Sequence, residues 1–354
     1  MKKKVRNILF FIIVILGISM VLCKSLNKSN VVKENGEEES QETYMVNDGE
    51  IIGNNNENLS GWITYWDLND DDDDIRALDK RLKEISYFAA DFNSDNSLII
   101  REELINYYNK TKNDDYIKYL TVVNDKKNID MSYSLKDINL LKILLKDYDS
   151  RSNHVKEIIN LAKKNNFDGV EIDYEAIKND MELWNKYILF IDELYSKCTE
   201  VQLKLRVVLE PNTPIEELSF SEGPTYVMMC YNLHDSSSDP GEKANPKFIK
   251  ELINKMAKVP GKKVFAISTG GFDWASNKKT TSICQTEAEI LAKKYNVKEE
   301  RDAESQCLVF SYTDEANIKH EVWYADKNTL ITWMSVIDES GYDISIWKLS
   351  GNSF

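Results

Sequence analysis

From Leu59 onward the chain alternates short β-like apolar runs with longer stretches of helical texture. The candidate strands are GWITYW (Gly61–Trp66), ISYFAAD (Ile85–Asp91), YLTVV (Tyr119–Val123), GVEIDYE (Gly169–Glu175), KLRVVLE (Lys204–Glu210), YVMMCY (Tyr226–Tyr231), KVFAIST (Lys263–Thr269) and ISIWKL (Ile344–Leu349). Between them, stretches near Leu135–Leu145, His154–Asn165, Met181–Thr199 and Pro246–Lys258 read as helices. Strands that alternate with helices predict a parallel α/β fold. Eight such units suggest a closed (β/α)8 TIM barrel.

The fourth run carries the candidate chemistry. Within FDGVEIDYEA (Phe167–Ala176), Glu171, Asp173 and Glu175 fall at every second position. Alternate residues of a strand share a face, so three carboxyl groups point one way and Val170, Ile172 and Tyr174 the other. Like charges this close do not all ionise, so at least one proton is held near neutral pH. A general acid needs such a proton. The alternative, a solvated edge strand with scattered acids, fits poorly with the aliphatic alternation after Asp168-Gly169.

The chain ahead of Leu59 has a different texture. Lys2, Lys3, Lys4 and Arg6 precede an apolar run from Ile8 to Cys23, which Lys24 ends. This predicts an export signal or an uncleaved signal anchor over residues 1–24, with the rest of the chain extracytoplasmic. Leu22 stands where a lipoprotein site wants a small residue. Residues 25–58 are rich in Asn, Glu, Ser and Lys and read as a flexible tether. The catalytic region is then 59–354. A formal net charge of −14 argues against nucleic-acid binding. The acidic run Asp70–Asp74 lacks the spaced ligands of a calcium loop and reads as solvated.

Five cysteines show no zinc spacing. Cys230 reads as buried packing, while Cys284 and Cys307 either pair or remain thiols. His154, His234 and His320 are scattered, and His234, just past the sixth strand, is the one expected near a cleft. No metal cluster, Ser-His-Asp spacing or Gly-rich phosphate loop is visible, so no cofactor is expected.

The segment Asp168-Gly169-Val170-Glu171-Ile172-Asp173-Tyr174-Glu175 resembles the signature of glycoside hydrolase family 18, Asp-Gly-x-Asp-x-Asp-x-Glu, with Glu171 in place of the middle aspartate. The resemblance extends in order along the chain. SYFAADFNSDNSLI (Ser86–Ile99) is similar to the second strand and loop of the spore-cortex-lytic branch. MCYN (Met229–Asn232) matches a Met-x-Tyr-Asp motif, with Asn232 replacing aspartate. GGFDW (Gly270–Trp274) is similar to the exit of the seventh strand. HEVWYADKNTL (His320–Leu330) and ISIWKLSG (Ile344–Gly351) resemble the final helix entry and eighth strand. A short insertion, about 275–319, then separates strands seven and eight.

That resemblance implies roles. Glu175 is the acid and then the base, Asp173 holds the substrate's 2-acetamido group, and Tyr231 donates a hydrogen bond to it. Glu171, Met229 and Asn232 are implied as substrate contacts and Trp347 as the floor beneath the sugar. Taken alone, Tyr231 reads first as a core aromatic, Trp347 reads equally as core, and Asn232 reads as a turn residue. The implied activity is substrate-assisted, retaining hydrolysis, an exception to the two-carboxylate scheme. The implied partner is an N-acetylglucosamine-containing glycan of cell wall or spore cortex, with membrane contact only through the N-terminal segment. The competing expectation is a glycan-binding barrel without activity.

Overall fold

The computed structural model describes residues 58–68, 81–111 and 115–350, except for the side chains of Ala89 and Thr111. The predicted export segment 1–24, the tether up to residue 57 and the run Asp70–Asp74 lie outside the described residues.

All eight predicted strands form. They are β1 Leu59–Thr64, β2 Leu82–Phe92, β3 Ile117–Lys127, β4 Gly169–Asp173, β5 Lys204–Leu209, β6 Thr225–Met229, β7 Lys263–Ser268 and β8 Asp343–Trp347. Each pairs in parallel with the next, and β8 closes on β1 through the register Gly61↔Ile346. The chain is thus a closed (β/α)8 barrel. The short strands Leu98–Ile100 and Tyr133–Ser134 add antiparallel partners to β2 and β3.

The helices outside the barrel include α1 Glu102–Thr111, α2 Ile138–Leu144, α3 Tyr148–Lys164, α4 Met181–Glu200 and α5 Pro246–Met256. Asp137, Asp147, Asp180 and Asn245 accept backbone N–H bonds at the starts of α2 to α5, which satisfies donors a helix start otherwise leaves bare. The alternation on β4 works as expected. Val170 and Ile172, with Tyr174 just beyond the strand, enter the core between barrel and helices, while Glu171 and Asp173 occupy the other face. His154 of α3 belongs to that outer core, 2.6 Å from the Tyr174 hydroxyl and stacked on Phe190.

Between β7 and β8 the chain builds a second, five-stranded antiparallel sheet with helix α6 Gln285–Tyr295 on it. The insertion is wider than 275–319, because Gly270–Ala275 and Lys319–Ala325 are two of its strands. Gly270 makes the exit from β7 possible at φ +58°. A Cβ on Gly271 would lie 1.7 Å from the Trp323 carbonyl oxygen, so the two strands could not approach with any other residue there. The insertion has its own core of Ile283, Ala288, Ala292, Phe310, Val322 and Tyr324. His320 sits in it, 2.7 Å from Asp273 and stacked on Tyr312. No disulfide occurs among the described residues. Cys307 is a buried thiol, and Cys284 sits at the start of α6, where its N–H donates to Glu287. After Lys327–Asp338, helix α7, the chain returns to β8.

Candidate active site

The barrel interior is stratified along β4. Glu171 lies in register with Thr121 of β3 and Arg206 of β5, and is wholly buried. One carboxylate oxygen accepts from Trp62 Nε1 at 2.5 Å and Thr121 Oγ1 at 2.8 Å. The other accepts from Ser86 Oγ at 3.0 Å and Arg206 Nε at 2.8 Å. Arg206, also wholly buried, reaches Glu84 at 2.7 Å with a second nitrogen. Glu171 therefore stands beneath the cleft with its acceptor positions filled by protein donors. This differs from the expectation of a direct substrate contact. Its burial and its cation explain why.

Two residues higher, Asp173 ends β4 and is 6% exposed. Its Oδ1 is buried and has no hydrogen-bond partner in the protein. Burial drives its pKa well above the ordinary carboxylate range, and the charges of Glu175 and Glu171 add to the effect. β4 stops here, two residues earlier than predicted. Asn124 of β3 takes both backbone groups of Glu175: its Oδ1 accepts from Glu175 N at 3.0 Å and its Nδ2 donates to Glu175 O at 3.1 Å. Ala176 then turns at φ +65°, its N–H held by Glu210 Oε2 at 2.8 Å. Glu175 is thus clamped at the barrel's C-terminal mouth, where this fold carries its chemistry. Burial raises its pKa, while an ion pair with Lys136 opposes the rise.

Tyr231 lies two residues past β6 and is 6% exposed. Its pKa is pushed up by burial and by the nearby acids Asp173 and Glu175, so the phenol stays a donor. Met229 packs beneath it against Trp62. Trp347 ends β8 and meets Trp62 edge-on at 5.7 Å and Phe88 at 5.1 Å. Phe88 in turn touches the half-exposed Trp66, so an aromatic floor extends outward from Trp347. Asn232 is exposed at φ +68° in the loop after β6, and His234 follows it there with its ring at 3.0 Å from Asp239 O.

Sequence reasoning missed several members of this site. Lys136 and Asn124 come from segments with no motif. Arg206 stands with Lys204 as one of two cations in the run KLRVVLE, and nothing in the pattern marks it. Lys243, before α5, bonds Ser268 Oγ at 3.0 Å and Thr269 O at 3.2 Å. Thr269 N–H holds the Trp347 carbonyl at 2.8 Å. Burial brings the Lys243 amine down to about 8.

A carboxyl pair with raised pKa values, set across a barrel mouth from an aromatic floor, has the position and the groups for acid–base chemistry in a (β/α)8 enzyme. The model of the glycosyl hydrolases family 18 matches residues 59–352, and the chain belongs to that family. It is 26% identical over 209 residues to the glycosylase YvbX of Bacillus subtilis, covering 55% of this chain and 61% of that protein. It is 25% identical over 295 residues to the cortical fragment-lytic enzyme of Bacillus anthracis, covering 77% of this chain and 66% of that one. The match thus spans less than two thirds of either curated relative. The crystal structure of the spore cortex-lytic enzyme SleL of Bacillus cereus superposes with a TM-score of 0.70 at 20% identity, covering 83% of this chain and 71% of that one. At that identity the likeness concerns the fold.

Proposed function

We propose that this protein is an exported, retaining glycosidase that hydrolyses β-1,4-linked N-acetylglucosamine polymers. Peptidoglycan or spore cortex is favoured over chitin. The observation that carries the reading is the contrast on β4. Glu171 has its acceptor positions filled, whereas Asp173 keeps an unpartnered oxygen beside Glu175, whose pKa burial raises. Glu171 is therefore not available as a nucleophile, and Asp173 is a poor one while burial favours its proton. Asp173 suits a different task, holding the 2-acetamido group of a sugar seated on Trp347.

Glu175 then protonates the leaving glycosidic oxygen. The acetamido oxygen attacks the anomeric carbon and closes an oxazolinium ring. Asp173 accepts from its N–H and so meets the positive charge that develops on the ring, while Tyr231 donates to its oxygen and fixes the group's orientation for attack. Glu175, now ionised, takes a proton from water as that water opens the ring, and the configuration is retained. An intramolecular nucleophile held in this way reaches effective molarities of about 10⁵–10⁸ M.

The names of the relatives, cortical fragment-lytic and spore cortex-lytic, support cortex as the glycan. The basic and apolar N-terminus supports export, with residues 25–58 as the tether to the envelope. The glycan-binding alternative is disfavoured because Glu175 is present and clamped on both backbone groups. The test is release of reducing ends from purified cortex and from N-acetylglucosamine oligomers, with the product anomer read by proton NMR. β-Products are expected. No release from either glycan, or α-products, contradicts the reading.

A further inference from the structure

Lys136 is a cation that the acidic strand does not account for. It lies between Tyr133–Ser134 and α2, and its backbone is fixed from both sides. Its own N–H donates to Asp125 Oδ1 at 2.7 Å, and that of Asp137 donates to Asn124 O at 2.8 Å. Asp137 in turn caps α2. The turn takes φ +53° at Lys136, which lysine adopts only when its surroundings hold it there. From this rigid base the amine pairs with the carboxylate of Glu175. The Lys136 side chain is 44% exposed and that of Glu175 15%, so the amine also faces the open cleft.

Position and charge give this lysine a use. Glu175 has to touch the glycosidic oxygen, so a cation in contact with Glu175 stands within one sugar of the bond that breaks. Trp347 ends β8, while Lys136 follows β3, three strands further around the ring. That separation fits a place beside the leaving sugar better than one beside the sugar on Trp347. The charges around it are those of Glu175 and Asp173 at the end of β4, Asp125 on β3, Glu210 after β5 and Asp235 in the loop after β6. A general acid must carry its proton when substrate binds. In that state the amine loses its directly paired carboxylate, and an anion on the leaving sugar can take that place.

We propose that Lys136 is a specificity-determining residue that pairs with a carboxylate carried by the sugar on the leaving side. This rests on the glycosidase reading above and refines its substrate. An N-acetylglucosamine in that position is neutral. A muramic-type sugar bears a lactyl carboxyl, either free or extended by an amino acid whose own carboxyl is free. Pairing with that group draws Lys136 off Glu175 and leaves the proton on the acid.

The experiment uses alternating tetrasaccharides of N-acetylglucosamine and N-acetylmuramic acid in four forms: free lactyl acid, its methyl ester, the L-alanyl derivative and its methyl ester. kcat/KM and Kd are measured for the wild type, Lys136→Met and Lys136→Arg. The wild type should favour an acid over its ester by about tenfold, which is about 1.4 kcal/mol and within reach of a close charge pair. The preference should fall to near one in Lys136→Met and persist in Lys136→Arg. Whichever acid loses more on esterification identifies the carboxylate that is read. Equal treatment of acid and ester by the wild type, or an unchanged preference in Lys136→Met, overturns the proposal. N-acetylglucosamine oligomers serve as the control for the parent reading. If neither they nor the tetrasaccharides are cleaved, hydrolysis itself is refuted, and the acid-to-ester ratio of Kd still decides the role of Lys136.

Discussion

The floor of the barrel and its mouth hold carboxylates of the same strand and the same face, two residues apart, yet they are different chemical objects. At the floor, Glu171 receives four donors, one of them a wholly buried arginine. At the mouth, Asp173 has an oxygen with no partner, and burial together with its neighbours favours its proton. Burial raises the cost of charge in both places. What differs is compensation: a guanidinium and three neutral donors fill the acceptor positions of Glu171, and where no such donors meet Asp173, burial favours its protonated form. Structural work and chemical work are thereby separated along a single strand.

That separation can be broken at either end. The largest effect should come from Arg206→Met, which leaves Glu171 as an uncompensated buried charge. Losing one partner of such a pair costs about 3–5 kcal/mol, so denaturant unfolding should show a loss of that order. A neutral result would mean that the floor is not held by this pair. At the mouth, Glu175→Gln should lower kcat by about 10²–10⁴ while calorimetry finds glycan binding largely intact. Near-normal turnover by that variant would remove Glu175 from the acid role.

Asp173→Asn is expected to act next, on both cleavage and the pH dependence of stability. Asp173 binds its proton more tightly in the folded chain than in the unfolded one. Its contribution is therefore fully present below the unfolded pKa and is lost as pH rises through the folded one. The amide does not ionise, so the variant should lose less stability than the wild type as pH rises from the unfolded carboxyl range through the folded pKa of Asp173. His154 works in the opposite direction, since burial pushes it down to about 3 and its contribution is lost as pH falls. It is common to both proteins and cancels in the difference. A wild-type and variant pair with parallel stability profiles would contradict the assignment of a retained proton. The smallest effect is reserved for Glu171→Asp. The shorter side chain keeps its charge beside Arg206 but reaches its donors less well, at a net cost of about 0.5–1.5 kcal/mol for a weakened hydrogen bond. Cleavage should change less than stability, and the reverse order would return Glu171 to the cleft.

The barrel was legible because its strands are apolar runs set apart by helical stretches and because the family resemblance supported the count of eight, and the β4 alternation placed Val170 and Ile172 against the helices. Glu175 was legible from its spacing to Asp173. The function of Glu171 was not, because its partner Arg206 lies 35 positions away and only the barrel register brings them side by side. The end of β4 was misplaced for a related reason. The turn at Ala176 depends on Asn124 and Glu210, which approach from other strands. The insertion was underestimated because Gly270–Trp274 reads as a strand exit, whereas it pairs with Lys319–Ala325. Lys136 left no trace in any pattern, since its turn is held by Asp125, Asn124 and Asp137 and not by a glycine.

The central claim is that the mouth supplies an acid while the substrate supplies the nucleophile. Its most direct test is the turnover of matched oligomers that differ only in the N-acetyl group of the sugar on Trp347. The account predicts that the acetylated oligomer is cleaved, and that its de-N-acetylated counterpart binds but is cleaved at least ~10³-fold more slowly, as expected when an intramolecular nucleophile is removed. Comparable rates for the two would contradict it.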